Sequence, residues 1–379
     1  MGLRTVVKLG TIVSVALFCI AVGYYAFMQL NMADRNREVN LFALVPDDCV
    51  SVFETDNVNE VLNEIPQLRY NRELENVTFS GLFGFILNVF NEYAIENAHG
   101  LSHQMNRVLV SNHYPYGPTD QVIYFRMGAS DESMLANMLQ EYAPFNFLPK
   151  EEKYRGKTIK IYPLGTDEYL AAYSESGCLV ISYHERLLEK VIDAKLDGKS
   201  LNDDTVFVKM LNHKKSQTFL TLYTRASSLP FLNVSPECWS DYDFHINSDV
   251  LYLTGYTYMP DSCVAKSVFS DFPERFTLIE KDSLFITTEK DSIHNYITSA
   301  YEDESTSLFE QNVVNLSKDA TFTMVADMQL VADDPSSFVS YFPSSILNNI
   351  SLFRPFILSS QYMLEGDGLA HIWIFTYKD

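Results

Sequence analysis

The sequence predicts an α+β protein: an N-terminal transmembrane helix followed by an ectodomain of repeated antiparallel-sheet-plus-helix units, about two and a half repeats. Three observations predict it. An uncharged apolar run opens the chain. A strand–turn–strand–helix pattern recurs further on. Strong hairpin turns separate segments of alternating polarity.

The apolar run comes first. After Lys8 no charge appears until Asp34, a run of 25 residues. About 20 such residues span the roughly 30 Å hydrocarbon core of a bilayer. A secretory signal is shorter and ends in a small-residue cleavage box. The best box, Ala21-Val22-Gly23, falls inside the run, and Tyr24, Tyr25, Phe27 and Met28 continue it. Cys19 suits a lipoprotein only poorly, because bulky Phe18 stands where that box needs a small residue. The expectation is an uncleaved anchor, with a cleaved signal as the competing reading. Basic residues balance across the span, so a short N-terminus ahead of a long domain decides the orientation. The protein is expected in a bacterial inner membrane as a single-pass chain, with its C-terminal domain on the periplasmic side.

The repeat comes second. "YLAAYSESGCLVISYHERLLEKVIDAKLDG" from Tyr169 and "FTLIEKDSLFITTEKDSIHNYITSAYEDE" from Phe276 both read strand, turn, strand, helix. Leu179, Ile181 and Tyr183 alternate as a strand does, and Leu187, Leu188, Val191 and Ile192 form a helical stripe. "SLNDDTVFVKML" at Ser200 parallels "SLFEQNVVNL" at Ser307, and "TFLTLYT" at Thr218 parallels "TFTMVAD" at Thr321. "CVSVFETD" at Cys49 has the same character.

The hairpins come third. One turns at Asn247-Ser248-Asp249, another at Gly366-Asp367-Gly368, and a third passes through a longer loop around Pro115. The expected organisation is a cytoplasmic stretch over 1–8, the anchor over 9–30 and a juxtamembrane segment over 31–48. One unit then covers 49–217, a second 218–320, and half of a third 321–379.

Three short stretches carry a resemblance. They are Leu44-Val45-Pro46-Asp47-Asp48 soon after the apolar run, the "LVIS"-plus-helix element at Leu179, and "SLNDDTVF" at Ser200. Together they resemble a bacterial family of membrane-anchored proteins, the domain-of-unknown-function family 3352. The resemblance implies a fold and a location. It implies no activity and no site residues.

Composition narrows the function classes. The chain has 379 residues, a net charge of −21, 26 Phe and 23 Tyr. The first 30 residues carry two cations and no acid, so the remainder carries −23. Nucleic acid, which binds through Lys and Arg on phosphates, is thereby disfavoured. The aromatics supply a large core, or else the wall of a lipid-binding cavity. Of the cysteines outside the apolar run, Cys49, Cys178, Cys238 and Cys263, none forms a CxxC pair. They read as buried thiols, with a Cys238–Cys263 disulfide as the alternative.

Chemistry leaves few linear traces. There is no GxSxG, SxxK, HExxH, GxGxxG or Walker loop. No catalytic residue and no cofactor is therefore expected. The metal candidates are Glu92, Glu96 and His99 in "NEYAIENAHGLSH", spaced to share one helix face. Gly100 is a natural helix stop and would leave His103 beyond it. The competing reading is a solvated face opposite Phe83, Ile86, Leu87, Phe90 and Ile95. Paired acids such as Asp47-Asp48, Asp203-Asp204 and Asp333-Asp334 read as caps and turns. The expected role is a non-enzymatic binding or scaffolding module. Its expected contacts are the membrane, through residues 9–30, and a protein of the cell envelope. A lipid-binding ectodomain and a hydrolase without a linear motif are the alternatives. No small-molecule ligand follows from the sequence.

Overall fold

The structure is a computed structural model. It describes residues 22–25, 39–64, 67–70, 107–114, 120–127, 148–164, 169–175, 177–214, 218, 220–259, 277–279, 284–287, 307–366 and 368–378.

Among the described residues, fifteen strands form one sheet, antiparallel throughout. They are β1 (Ser51–Thr55), β2 (Val108–Asn112), β3 (Gln121–Arg126), β4 (Lys150–Tyr154) and β5 (Lys157–Pro163). There follow β6 (Tyr169–Glu175), β7 (Cys178–Ser182), β8 (Leu220–Arg225), β9 (Trp239–Ile246) and β10 (Val250–Tyr258). The last are β11 (Thr277–Ile279), β12 (Leu284–Thr287), β13 (Phe322–Asp327), β14 (Phe356–Glu365) and β15 (Gly368–Tyr377). Their spatial order is β11-β12-β13-β14-β15-β10-β9-β8-β1-β2-β3-β7-β6-β5-β4.

This order corrects the expected fold class. The chain is not a succession of sheet-plus-helix repeats. It is one large antiparallel sheet with helices on its faces. The physical reason lies at the strand edges. A short meander such as β1-β2-β3 has two open edges whose N–H and C=O groups need partners. Each edge is closed by strands from far along the chain. β1 pairs with β8 from Ser51↔Thr224 to Thr55↔Leu220. β10 pairs with β15 from Val250↔Thr376 to Tyr258↔Gly368. β12 closes the free edge of β13. Merging satisfies the backbone that separate units would leave open. At one end of the described sheet, β4 reads Lys-Glu-Glu-Lys-Tyr, and charge of this kind discourages further pairing.

Alternate residues along a strand enter opposite cores. In β8, Leu222 packs against the cluster of Tyr242, Phe322, Tyr362 and Trp373, while Tyr223 joins Val52, Tyr124 and Trp239 on the other face. Helix α1 (Val58–Glu64) follows β1, and helix α2 (Glu185–Asp197) lies over that second cluster with Leu187, Leu188, Val191 and Ile192 buried. Gly198, at φ 65°, ends it by donating its N–H to the Ala194 carbonyl. Helix α3 (Thr205–His213) follows, and the Asp204 carboxylate caps it by accepting from the Val206 and Phe207 amides. The same face is covered over β12 and β13 by α4 (Leu308–Val314), which is capped by Ser307. The first face is covered in part by Met328 and Val331 of α5 (Met328–Asp333).

Among the described residues no helix is long and apolar enough to cross a membrane. Of the expected anchor only 22–25 are described, as helix with exposed side chains. The expected placement as a single-pass inner-membrane protein is corrected by the finding that no described helix is long and apolar enough to span a bilayer. The rest of the anchor, 9–21 and 26–30, lies outside the described residues.

Candidate functional site

The described residues contain two buried polar constellations. The first sits where β2 ends beside the turn that precedes β1. Ser111 and His113 are two residues apart and so point to one face of the sheet. Ser111 Oγ lies 2.8 Å from His113 Nε2, and His113 Nδ1 lies 3.7 Å from Asp48 Oδ1. The turn that presents Asp48 is fixed from behind. Asp47 N–H donates to the Lys199 carbonyl at 3.0 Å, and Pro46 bridges Ser200. Lys190 of α2 donates to Asp48 Oδ2 at 2.6 Å. The His113 imidazole, and with it the Lys190 ammonium, holds the Asp48 carboxyl well below the usual carboxylate range.

Serine, imidazole and carboxylate thus stand in the order of a nucleophilic triad. Access and electrophile binding are both missing. Ser111 is 0 % exposed and His113 1 %. Ser111 Oγ is shared with the Tyr124 hydroxyl at 3.0 Å, and Tyr124 is itself buried. Backbone amides that would form an oxyanion hole are committed elsewhere. Ser111 pairs with Val52 and Val122 in two ladders, and His113 N–H donates to the Asp120 carbonyl. Ser111 Oγ joins His113 Nε2 and the Tyr124 hydroxyl in a buried hydrogen-bonded chain at the end of β2, while His113 Nδ1 stands beyond hydrogen-bond distance of Asp48 and makes no hydrogen bond. Removing its centre carries a definite cost. Ser111→Ala leaves the Tyr124 hydroxyl and His113 Nε2 buried without their partner, so a loss of about 1–3 kcal/mol is expected in urea unfolding.

The second constellation crosses β1, β8 and β9. Glu54 accepts from the Arg107 guanidinium and from the Tyr223 hydroxyl at 2.7 Å. Lys214, just past α3, donates to the Tyr223 hydroxyl at 3.2 Å and lies 3.2 Å from Asp243 Oδ1. Thr221 donates to the same oxygen at 2.8 Å, and Thr218 at 3.2 Å. Burial, and then the neighbouring Glu54 charge, raise the Tyr223 phenol well above its ordinary range. Asp241 completes the row. Its carboxylate accepts the Tyr256 amide at 2.7 Å, and burial pushes it up to about 6. Three carboxylates thus face two cations, and the donors and acceptors satisfy one another.

Among the described residues no group of three or more His, Cys, Asp or Glu can hold an ion. The metal candidates Glu92, Glu96 and His99 lie outside the described residues. Cys49, Cys178 and Cys238 are buried, and burial raises Cys49 strongly and Cys178 to about 11; Cys263 lies outside the described residues. The paired acids act as turn residues and caps. Ser200 donates to Asp203, Asp204 caps α3, and Asp334 accepts from Ser336.

Compared with known proteins, the chain matches no family model, no curated protein and no solved structure. Its function is therefore argued from its own geometry.

Proposed function

We propose that this chain is a non-catalytic binding module that engages a protein partner. The observation that carries the reading is the burial of Ser111 and His113 in the Ser111–His113–Asp48 arrangement. It is the described arrangement nearest to a catalytic one, and its serine and histidine are buried, with the hydroxyl already shared with Tyr124. The aromatic core argues against the lipid-carrier alternative. A carrier needs an open apolar cavity, whereas Phe231 stacks on Phe322 at 5.1 Å and meets Tyr362 at 5.4 Å. The family 3352 resemblance belongs to the same proposal. The stretches that carry it meet in space, with Leu201 N–H on the Val45 carbonyl and Lys190 on Asp48, and so act as one structural joint. A net charge of −21 favours a partner with a cationic surface over nucleic acid.

Two experiments test the reading on the full chain. A fluorophosphonate probe is expected to leave the native protein unlabelled. Labelling that disappears in Ser111→Ala would establish a serine hydrolase instead. Crosslinking in the native cell, followed by mass spectrometry, is expected to return a reproducible protein partner whose contact face is basic.

A further inference from the structure

One buried ion pair stands apart from the chain's surface pairs. Lys214 Nζ lies 3.2 Å from Asp243 Oδ1, and the two side chains are 16 % and 5 % exposed. In the carboxylate pairs of Lys150, Lys157, Lys190, Lys195 and Lys378, both partners are at least 21 % exposed. Those carboxylates meet water, whereas Asp243 is closed off from it.

Both ends of the pair are held. Lys214 is the C-cap of α3, and its backbone N–H donates to the Met210 carbonyl. Asp243 sits inside the sheet, opposite Thr221 of β8 and Thr254 of β10. Thr221 also connects the two side chains. Lys214 Nζ donates to Thr221 Oγ1 at 2.5 Å, and that hydroxyl donates to Asp243 Oδ1 at 2.8 Å. A third neighbour of Nζ is the Tyr223 hydroxyl at 3.2 Å, which itself donates to Glu54 at 2.7 Å.

An amine and a carboxyl fixed together in this way react as if at roughly 10⁵–10⁸ M. Burial favours the same outcome. An ion pair removed from water carries a desolvation penalty, and a hydrogen-bonded neutral amide carries far less.

We propose that Lys214 and Asp243 condense to an intramolecular isopeptide bond, a self-catalysed cross-link between the end of α3 and β9. One ammonium proton passes through the Thr221 hydroxyl to Asp243 Oδ1, leaving an amine beside a carboxylic acid. The amine lone pair attacks Cγ, and the C=O electron pair moves to Oδ2. A second Nζ proton follows the same path to Oδ1. That oxygen departs as water, and the Oδ2 electrons restore the carbonyl. One N–H remains on Nζ, and the Tyr223 hydroxyl accepts it. The bond closes the loop 214–243, which carries β8, and so restricts the unfolded chain in the manner of a disulfide.

Mass spectrometry of the denatured full-length chain tests this. The wild type is expected to be lighter than the uncondensed chain by one water. Its digest is expected to contain a branched peptide in which residues 214 and 243 are joined. Lys214→Arg and Asp243→Ala are each expected to keep the full mass. A wild type at full mass, with residues 214 and 243 recovered in separate unmodified peptides, would overturn the proposal. So would a water loss that survives in Lys214→Arg, or one confined to an unbranched peptide. If a variant does not fold, the wild-type digest alone decides, because it reads the joined residues directly.

Discussion

Gly255→Ala is expected to destabilise the protein by more than about 3 kcal/mol, beyond the usual range for one added methyl in a packed interior. The added Cβ would stand 1.9 Å from the Asp241 carbonyl oxygen, 2.8 Å from its carbonyl carbon and 2.8 Å from His371 Nε2. The first two are backbone atoms of β9, held by pairing with β8, and cannot swing aside as a side-chain tip can. Relief would have to come from moving β9 away from β10. That movement breaks the His371 contact with the Asp241 carbonyl. It also disturbs the Tyr242 hydroxyl, 2.9 Å from the Tyr362 hydroxyl, which in turn accepts from Trp373 Nε1 at 3.1 Å. The control is Gly156→Ala in the β4–β5 turn. A Cβ there meets nothing within 4 Å, but φ is +82°, so only the backbone penalty of about 1–2 kcal/mol applies. Urea unfolding of both variants separates the two effects. A Gly255→Ala cost no greater than that of Gly156→Ala would show that the close approach at Asp241 is not a feature of the folded protein.

The contrast between these glycines shows what can be read from sequence. Gly156 and the turns at Asn247-Ser248-Asp249 and Gly366-Asp367-Gly368 are local. Turn residues flanked by alternating segments announce β9–β10 and β14–β15, and both hairpins form. The stripe of α2 and its Gly198 stop are equally local. Gly255 reads only as a weak spot in a strand, because its partner carbonyl and His371 come from elsewhere in the chain. Lateral assembly is hidden for the same reason. Alternation says that a strand has two faces, but not which strand lies beside it, so the β1–β8 and β10–β15 seams could not be foreseen and separate repeats were expected. The candidate site divides likewise. Ser111 and His113 share a face by simple counting, while Asp48 and Tyr124 join them only through the β1–β2–β3 pairing and the turn held by Lys199. The absence of linear motifs gave no hint of the Ser111–His113–Asp48 arrangement.

Trp239→Ala is expected to cost about 3–5 kcal/mol, the range for deleting a large buried aromatic. Trp239 is 0 % exposed and meets the Phe207 ring edge-on at 5.0 Å. The Arg225 guanidinium carbon lies 4.4 Å from the ring centroid on its other side. Its Nε1–H donates to Asp204 Oδ2 at 2.9 Å, while Asp204 Oδ1 accepts the Val206 and Phe207 amides that begin α3. The indole therefore joins β9 to the helix cap through both its face and its nitrogen. Trp239→Phe keeps most of the packing and loses the nitrogen, so about 1–2 kcal/mol is expected from it. The two variants should also differ in where protection is lost. Without the ring, Phe207 faces a cavity and α3 loosens along its length, so exchange of the 205–213 amides should quicken throughout the helix. With phenylalanine in place, only the first turn, which depends on Asp204 being oriented, should quicken. Equal costs for the two variants would mean that the hydrogen bond, not the packing, holds α3 to the sheet. Unchanged exchange of 205–213 in Trp239→Ala would mean that α3 is held by Phe42 and Tyr223, whose rings lie 5.1 and 5.5 Å from Phe207, without need of the indole.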